Sequence, residues 1–551
     1  MSRNFLVVHP DDDMVVALRD AQAGDVADVD GEAISLTDSV RAKHKFSRRG
    51  FSRGDLLRMY GVVVGRATSA LAPGDPITTE NLEHATSEVT ARQKERAVWT
   101  APDVSRWSDQ TFLGYDRDDG TVGTRNYWIL VPLVFCENRN LRVLSQSLAE
   151  ELGYGQRSMY RHLTRTLLDQ HREGATAEQL LETSWLPSDE PSVHDRPFPN
   201  VDGIKFLYHQ SGCGCTNQIA AELCGLLAGY VNHPNVAGAT VFSLGCQKSQ
   251  IEMLQEEIYR RNPKFNKPLY ILDQQQSGTE QALLTNAIKQ TFGGLVQANR
   301  QQREPASLSH ITLGVECGGS DGFSGISANP SIGHCSDLLV ALGGKVILSE
   351  FPELAGCEQE LVDRCVDQRC AERFLKLMRG YNAQAESLGA GFKDNPSPGN
   401  IRDGLITDAI KSAGAAKKGG TSPVVDVLDY PESVRRAGLT LLCTPGGDVE
   451  STTAMAGAGA TVQIFSTGLG TPTGNPVSPM IKVSSNTELA GRMPDIIDLN
   501  CGTVIFGEES IDQVGQRLLE LVVETASGRY ETKAQKLGQD DFIPWQRGIS
   551  L

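Results

Sequence analysis

The alternation of apolar and polar positions divides the chain into three textures. Residues 1 to about 88 hold short β-type apolar runs broken by turn signals, among them Val62-Val63-Val64-Gly65 and Ala72-Pro73-Gly74-Asp75-Pro76, the pattern of a small β domain. A polar, charged stretch over about 89–110 follows as a linker. From Tyr127 the runs Trp128-Ile129-Leu130-Val131, Ile204-Lys205-Phe206-Leu207, Ala239-Thr240-Val241-Phe242 and Leu269-Tyr270-Ile271-Leu272 alternate with amphipathic helical segments. That is βαβ punctuation. A polar helical insertion over about 154–200 interrupts it. A second alternating stretch starts at Ile311-Thr312-Leu313-Gly314-Val315 and continues through Val346-Ile347-Leu348, Leu439-Thr440-Leu441-Leu442 and Val462-Gln463-Ile464-Phe465. The pattern predicts an α/β protein: a β domain over 1–88, a linker over 89–110, a middle α/β unit over 111–305 and a second α/β unit over 306–551.

Bulk properties narrow the function classes. A chain of 551 residues is too long for one core. A net charge of -16 without a basic stretch argues against nucleic acid or an anionic membrane as partner, and an anionic small molecule would have to be drawn in by local donors. The first apolar stretch stops at His9-Pro10, too short for a secretion signal or a membrane span, so a cytoplasmic location is expected. There the twelve cysteines stay reduced, as core thiols or metal ligands. A homodimer is the expected assembly.

In open parallel sheets ligands sit beyond the carboxyl ends of strands, so the loops after the apolar runs are where chemistry is expected. Three of these loops carry a cysteine among glycines: Cys213 in Ser211-Gly212-Cys213-Gly214-Cys215, Cys246 in Leu244-Gly245-Cys246-Gln247, and Cys317 in Glu316-Cys317-Gly318-Gly319-Ser320-Asp321. Glycine lets backbone approach a ligand, and three thiolates at one sheet edge suit iron or another borderline-soft metal. Cys215 and Cys443 are substitutes; Cys224, Cys365 and Cys370 fall in helical segments and read as core thiols. His209 and His334 lie in glycine-rich loops, His209 being the better acid–base candidate. His162, His171 and His233 are expected at the surface. The glycine-rich stretch Ser466 to Gly474 has the wrong spacing for a dinucleotide fingerprint, and its prolines forbid the helix, so NAD is not expected.

The run Gly114-Tyr115-Asp116-Arg117-Asp118-Asp119-Gly120-Thr121-Val122-Gly123-Thr124-Arg125-Asn126-Tyr127 resembles the signature that opens the main domain of altronate and galactarate dehydratases. Glu316 through Pro330, Ser349-Glu350, Asn395 to Asn400 and Lys418-Gly419-Gly420-Thr421-Ser422-Pro423 are similar to that family's C-terminal blocks. His9-Pro10, His44-Lys45 and Tyr60-Gly61 resemble its N-terminal β-clip domain, known as SAF. Ile410-Lys411-Ser412-Ala413-Gly414 and Leu469 to Gly474 depart from the family pattern in loops expected at the substrate's tail. The resemblance implies a Rossmann-like parallel sheet in the C-terminal part. It also implies dehydration of a hexonate or hexarate to a 2-keto-3-deoxy acid, and dependence on ferrous iron.

The chemistry is demanding, because the hydrogen beside a carboxylate is barely acidic and an enediolate must be stabilised before the β-hydroxyl leaves. On this reading Cys213, Cys246 and Cys317 face the metal, as Fe(II), another divalent ion or an iron–sulfur cluster. His209 or Lys248 is the base and Asp321 lies beside the metal. Arg125, Asn126, Ser320, Asn329, Asn400 and Lys482 hold the sugar acid's carboxylate and hydroxyls. A carboxylate site around Asp321 and Glu350 is the alternative to the thiolate site. A lyase acting on another 2-hydroxy acid such as sulfolactate, or a sugar-acid-binding protein without catalysis, are the rival functions.

Overall fold

The structure, a computed structural model, describes residues 4–29, 31–89, 99–155, 159–184 and 196–548. Part of the expected linker and the proline-containing end of the insertion lie outside those residues. The N-terminal unit is built only of short antiparallel strands, from Phe5–Leu6 to Leu82–Glu83, in two small sheets and a hairpin. Strands two to six residues long cannot bury a full core by themselves, and this unit completes one of its two by docking. Met14, Val16, Leu57, Met59 and Tyr60 share one continuous apolar cluster with Phe323, Ile326, Leu405 and Ile406 of the C-terminal unit.

The middle unit is a four-stranded parallel sheet in the order Gly203–Phe206, Tyr127–Pro132, Val236–Ser243, Leu269–Asp273. Tyr127–Pro132 and Val236–Ser243 are buried along their whole length, as expected of parallel strands covered on both faces. Within the insertion, helices Met159–Arg172 and Ala177–Leu181 lie at the periphery, the second started by a reciprocal cap between Thr176 and Gln179. Strand Thr111–Asp116 pairs antiparallel with Glu304–Ser307, so the chain re-enters this unit before starting the next, and the expected boundary at 305/306 falls inside a strand.

The C-terminal unit is a seven-stranded, all-parallel sheet in the order Val424–Leu428, Gly438–Leu442, Lys345–Leu348, Thr312–Cys317, Val462–Thr467, Met480–Ser484, Leu499–Asn500. Helix Ala328–Ala341 and helix Ile511–Ala526 pack together on the sheet. From Thr312–Cys317 the chain moves outward on one side and then returns to lay Val462–Thr467 on the other. The switch point of the sheet therefore lies between these two strands, where an open parallel sheet offers its binding crevice. No helix among the described residues is long and apolar enough to cross a membrane.

Candidate active site

At the switch point strand Thr312–Cys317 ends on two chemically loaded residues, Glu316 and Cys317, both buried. The chain then turns through Gly318, whose N–H donates to Ser466 O at 3.0 Å. A Cβ on Gly318 would stand 2.1 Å from an oxygen of Asp448, so only glycine lets the helix Asp448–Gly457 bring that carboxyl so near.

Around this turn the next loops deliver a compact ionic cluster. Glu350, after strand Lys345–Leu348, holds φ at 63°, a left-handed conformation that costs a glutamate strain and is fixed here by its N–H donating to Thr444 Oγ1 at 2.8 Å. Lys418 donates from Nζ to Cys317 Sγ at 2.7 Å and to Glu350 Oε2 at 2.8 Å. Cys317 Sγ lies 3.4 Å from Glu353 Oε2, and Lys411 Nζ pairs with Glu353 Oε1 at 2.6 Å. Glu316 Oε2 accepts from Ser349 Oγ at 3.0 Å and Ser451 Oγ at 2.8 Å. Ligand atoms of Cys317, Glu350 and Glu353 lie within 4.8 Å of one another, as do those of Glu316, Glu350 and Asp448.

Four carboxyl groups and a thiol thus share two lysines. The far oxygens of Glu316 and Glu350 are buried with no donor beyond the carboxyl of the other, a cost of a few kcal/mol unless a shared proton or a cation fills the gap. Burial, with Glu350 beside it, pushes the Glu316 carboxyl well above its usual range, and burial together with Glu353 raises Glu350. Burial also lifts Asp448 to about 7, helped by Glu350 and Glu353. Burial opposes the charge of Lys418, yet Cys317, Glu350 and Glu353 outweigh it and hold the ammonium. The Cys317 thiol is raised by burial. Asp448 and the glycines Gly446 and Gly447 are half-buried, and with Asn395, which approaches Gly446, they form the side of the cluster nearest solvent.

The N-terminal unit closes the neighbouring face. Lys43, itself at φ 74°, reaches Asp321 Oδ2 at 3.1 Å and Asp403 Oδ1 at 3.0 Å. Lys45 Nζ donates to Gly404 O at 2.6 Å, and burial lowers it to about 7. The Tyr60 hydroxyl sits against Gly325 and Gly414.

The structure sorts the residues singled out from sequence. Cys317 is in the cluster, whereas Cys213 and Cys246 stand in loops of the other sheet, and the three sulfurs do not form one group among the described residues. Equivalent positions after strands of two different sheets do not converge, which corrects the three-thiolate site. His209 is not placed as a base: its Nε2 faces Pro132 O at 2.7 Å, its Nδ1 accepts from Ser211 N at 3.1 Å, and burial lowers it to about 4. Lys248 is exposed in the loop that holds Cys246. Asp321 is buried and accepts from Ser324, Ser485, Asn486 and the Phe323 N–H besides Lys43, so it anchors its loop.

Arg125 and Asn126 precede strand Tyr127–Pro132 and so lie at the amino edge, away from the cluster. Arg125 donates to Thr124 O and Thr525 O at 2.8 and 2.7 Å, and the Asn126 amide to Asn200 O and Ala298 O. Asn329 bridges Ser466 and Gly414 O, and the Asn400 side chain clamps Ser320 O at 2.8 Å. The Ser320 hydroxyl is buried and unpartnered three residues beyond Cys317. Lys482 is a residue of strand Met480–Ser484, and its side chain donates to Gln539. His233, expected at the surface, is buried and bonded to Ala460 O at 2.9 Å.

Sequence reasoning passed over Glu316, Glu353, Lys411, Lys418 and Asp448 as site residues. The readable signal was an acid inside an apolar run, Leu313-Gly314-Val315-Glu316-Cys317, and two acids directly after another, Leu348-Ser349-Glu350-Phe351-Pro352-Glu353, since carboxylates are rarely buried without a task.

Comparison with known proteins gives the family of the chain. A model of the altronate/galactarate dehydratase SAF domain matches residues 3–85. The second domain of D-galactarate dehydratase/altronate hydrolase matches 114–299, and the C-terminal region of D-galactarate/altronate dehydratase matches 308–550. Altronate dehydratase of Bacillus subtilis is 30% identical over the full length of both chains. Altronate dehydratase of Escherichia coli is 30% identical over 99% of this chain and 100% of its own. The L-threo-forming galactarate dehydratase of Escherichia coli is 35% identical over 56% of this chain and 59% of its own. The chain belongs to the altronate/galactarate dehydratase family, and it is a hydro-lyase with an N-terminal SAF domain.

Proposed function

We propose that this hydro-lyase dehydrates altronate, with galactarate as the next substrate, to a 2-keto-3-deoxy acid, and that it uses Fe(II). The observation that carries the reading is the pair of buried carboxyls of Glu316 and Glu350, facing each other with no other donor on their far oxygens, beside two lysines at the sheet's switch point. Two carboxylates completed by substrate oxygens are an ordinary set for a hard divalent cation, so these residues fit the metal. When bound, it would supply Lewis-acid stabilisation of the enediolate charge.

The chain's own groups divide the remaining work. Asp448, the acid of the cluster nearest solvent and with its carboxyl lifted to about 7, takes the proton beside the substrate carboxylate. Lys418 and Lys411 stay charged within the cluster and stabilise negative charge as it develops, Lys418 also holding a proton for the departing hydroxyl. The docked SAF domain keeps water from the neighbouring face.

The test is keto-acid formation by anaerobic, iron-loaded protein over a panel of aldonates and aldarates. Altronate should give the highest kcat/KM. Turnover of galactarate with altronate inert would reassign the substrate, and release of sulfite from sulfolactate with no dehydration would overturn the reading.

A further inference from the structure

The carboxyl edge of the four-stranded sheet carries a second chemical feature, built from other side chains than the acidic cluster. Strands Gly203–Phe206, Tyr127–Pro132 and Val236–Ser243 are parallel neighbours in that order, so the loops that follow them emerge side by side. Each loop presents one exposed cysteine: Cys213, Cys136 and Cys246. The other nine cysteines of the chain are all buried.

The loops are bonded together within two residues of these cysteines. Phe135 N donates to Ser211 O at 3.1 Å, and Lys248 N donates to Gly212 O at 2.9 Å. Gly212, at φ 99°, lies so close to the first loop that a Cβ would meet Leu133 O at 2.2 Å. The segment Gly212-Cys213 is therefore a middle layer, with Cys136 one residue from its bond on one side and Cys246 two residues from its bond on the other. Gly214 and Gly245 also take positive φ, 59° and 112°, turning the chain sharply on either side of the thiols.

Three thiols on three neighbouring loops narrow the ligand. A single tetrahedral ion holds thiolates roughly 3.8 Å apart, given metal–sulfur bonds near 2.3 Å. These three sulfurs do not lie within 4.8 Å of one another as a group among the described residues. A multi-iron cluster is held by Cys thiolates on different irons, which therefore stand farther apart. Three cysteines rather than four leave one iron without a protein ligand. Beside this edge lies a cavity of about 400 Å³ whose lining includes Asn138, Arg142, Tyr208, Gln210 and Glu450. Asn138 is two residues after Cys136, and Gln210 is three before Cys213. The Arg142 guanidinium suits a carboxylate.

We propose that Cys136, Cys213 and Cys246 ligate a cubane iron–sulfur cluster with one open iron, next to a cavity that takes a small carboxylate. The inference is independent of the function assigned to the acidic cluster, because it is read by composition and spectrum rather than by turnover. The full chain is reconstituted anaerobically with iron and sulfide, and iron, acid-labile sulfide and the visible thiolate-to-iron absorption are measured. Wild type should hold about four acid-labile sulfides per chain and about four iron beyond the single ion of the acidic cluster, and Cys317→Ser should keep the four sulfides. Cys136→Ser, Cys213→Ser and Cys246→Ser should lose most of the sulfide and the absorption while keeping the wild-type circular dichroism. Alanine at the same positions serves where serine disturbs the fold. Reconstituted wild type that retains no acid-labile sulfide, one zinc per chain bound by these thiols, or full sulfide content in Cys136→Ser would each overturn the proposal.

Discussion

Lys418 Nζ stands 2.7 Å from Cys317 Sγ, with both side chains buried at the carboxyl end of the central strand of the seven-stranded sheet. The ammonium is the innermost cation of the acidic cluster. Lys418→Met leaves Glu350 and Cys317 without a counter-charge, a loss on the order of 3 kcal/mol after the acids take up protons. It should lower the thermal midpoint and reduce kcat by at least about 10³. Lys418→Arg should not rescue turnover, because a planar guanidinium does not reproduce the compact ammonium held between Cys317 Sγ and Glu350 Oε2. Thermal melts and steady-state assays on both variants check this, and wild-type turnover in Lys418→Met would remove the lysine from the mechanism.

Asp448→Asn keeps the shape of the group and removes its capacity to accept a proton. The expected outcome is a kcat lower by about 10² to 10⁴ with KM nearly unchanged and the melting temperature within a few degrees of wild type. A rise in KM with kcat intact would make Asp448 a binding residue instead.

The SAF domain is part of the folded core. A chain beginning near Gln110 exposes Phe323, Ile326, Leu405 and Ile406 and should aggregate or melt well below the full chain. Lys43→Met, which unpairs buried Asp321, should cost up to about 3 kcal/mol. Denaturant titration measures the cost; an unchanged midpoint would mean that Asp321's remaining hydrogen bonds suffice.

Two buried histidines set a limit on acid stability. Burial lowers His233 to about 3 and His209 to about 4, against about 6.5 in an unfolded chain. Both are neutral when folded, so their contribution is complete above pH 6.5 and lost as pH falls from there toward 4, where the unfolded chain binds the extra protons. Each accounts for roughly 3 kcal/mol by pH 4.5. His233→Asn should therefore show a shallower loss of melting temperature between pH 7 and 4.5 than wild type, and equal slopes would refute the assignment.

The sequence made the layering of the fold legible. The runs at 128–131, 239–242, 311–315 and 462–465 all became parallel strands, because strands covered on both faces must be apolar throughout. Strand Met480–Ser484 was overlooked because Lys482 interrupts its apolar run, and Val424–Leu428 because Asp426 does the same at the sheet edge. The site was half legible. Position after a strand identifies which loops are chemical, but not which sheet each strand joins. Cys317 was thus grouped with two thiols of another sheet, while its true neighbours arrive from Glu350 and Lys418, 33 and 101 residues further along. Such separations leave no local periodicity to read.

The most direct measurement of the central claim is altronate turnover by iron-loaded wild type and by Glu350→Gln, with the 2-keto-3-deoxy product quantified. Glu350 belongs to both carboxylate groups of the site, and its amide replacement is nearly isosteric. Wild type should form the product, while folded Glu350→Gln should be slower by at least about 10³. Product formation at the wild-type rate by Glu350→Gln would contradict the account.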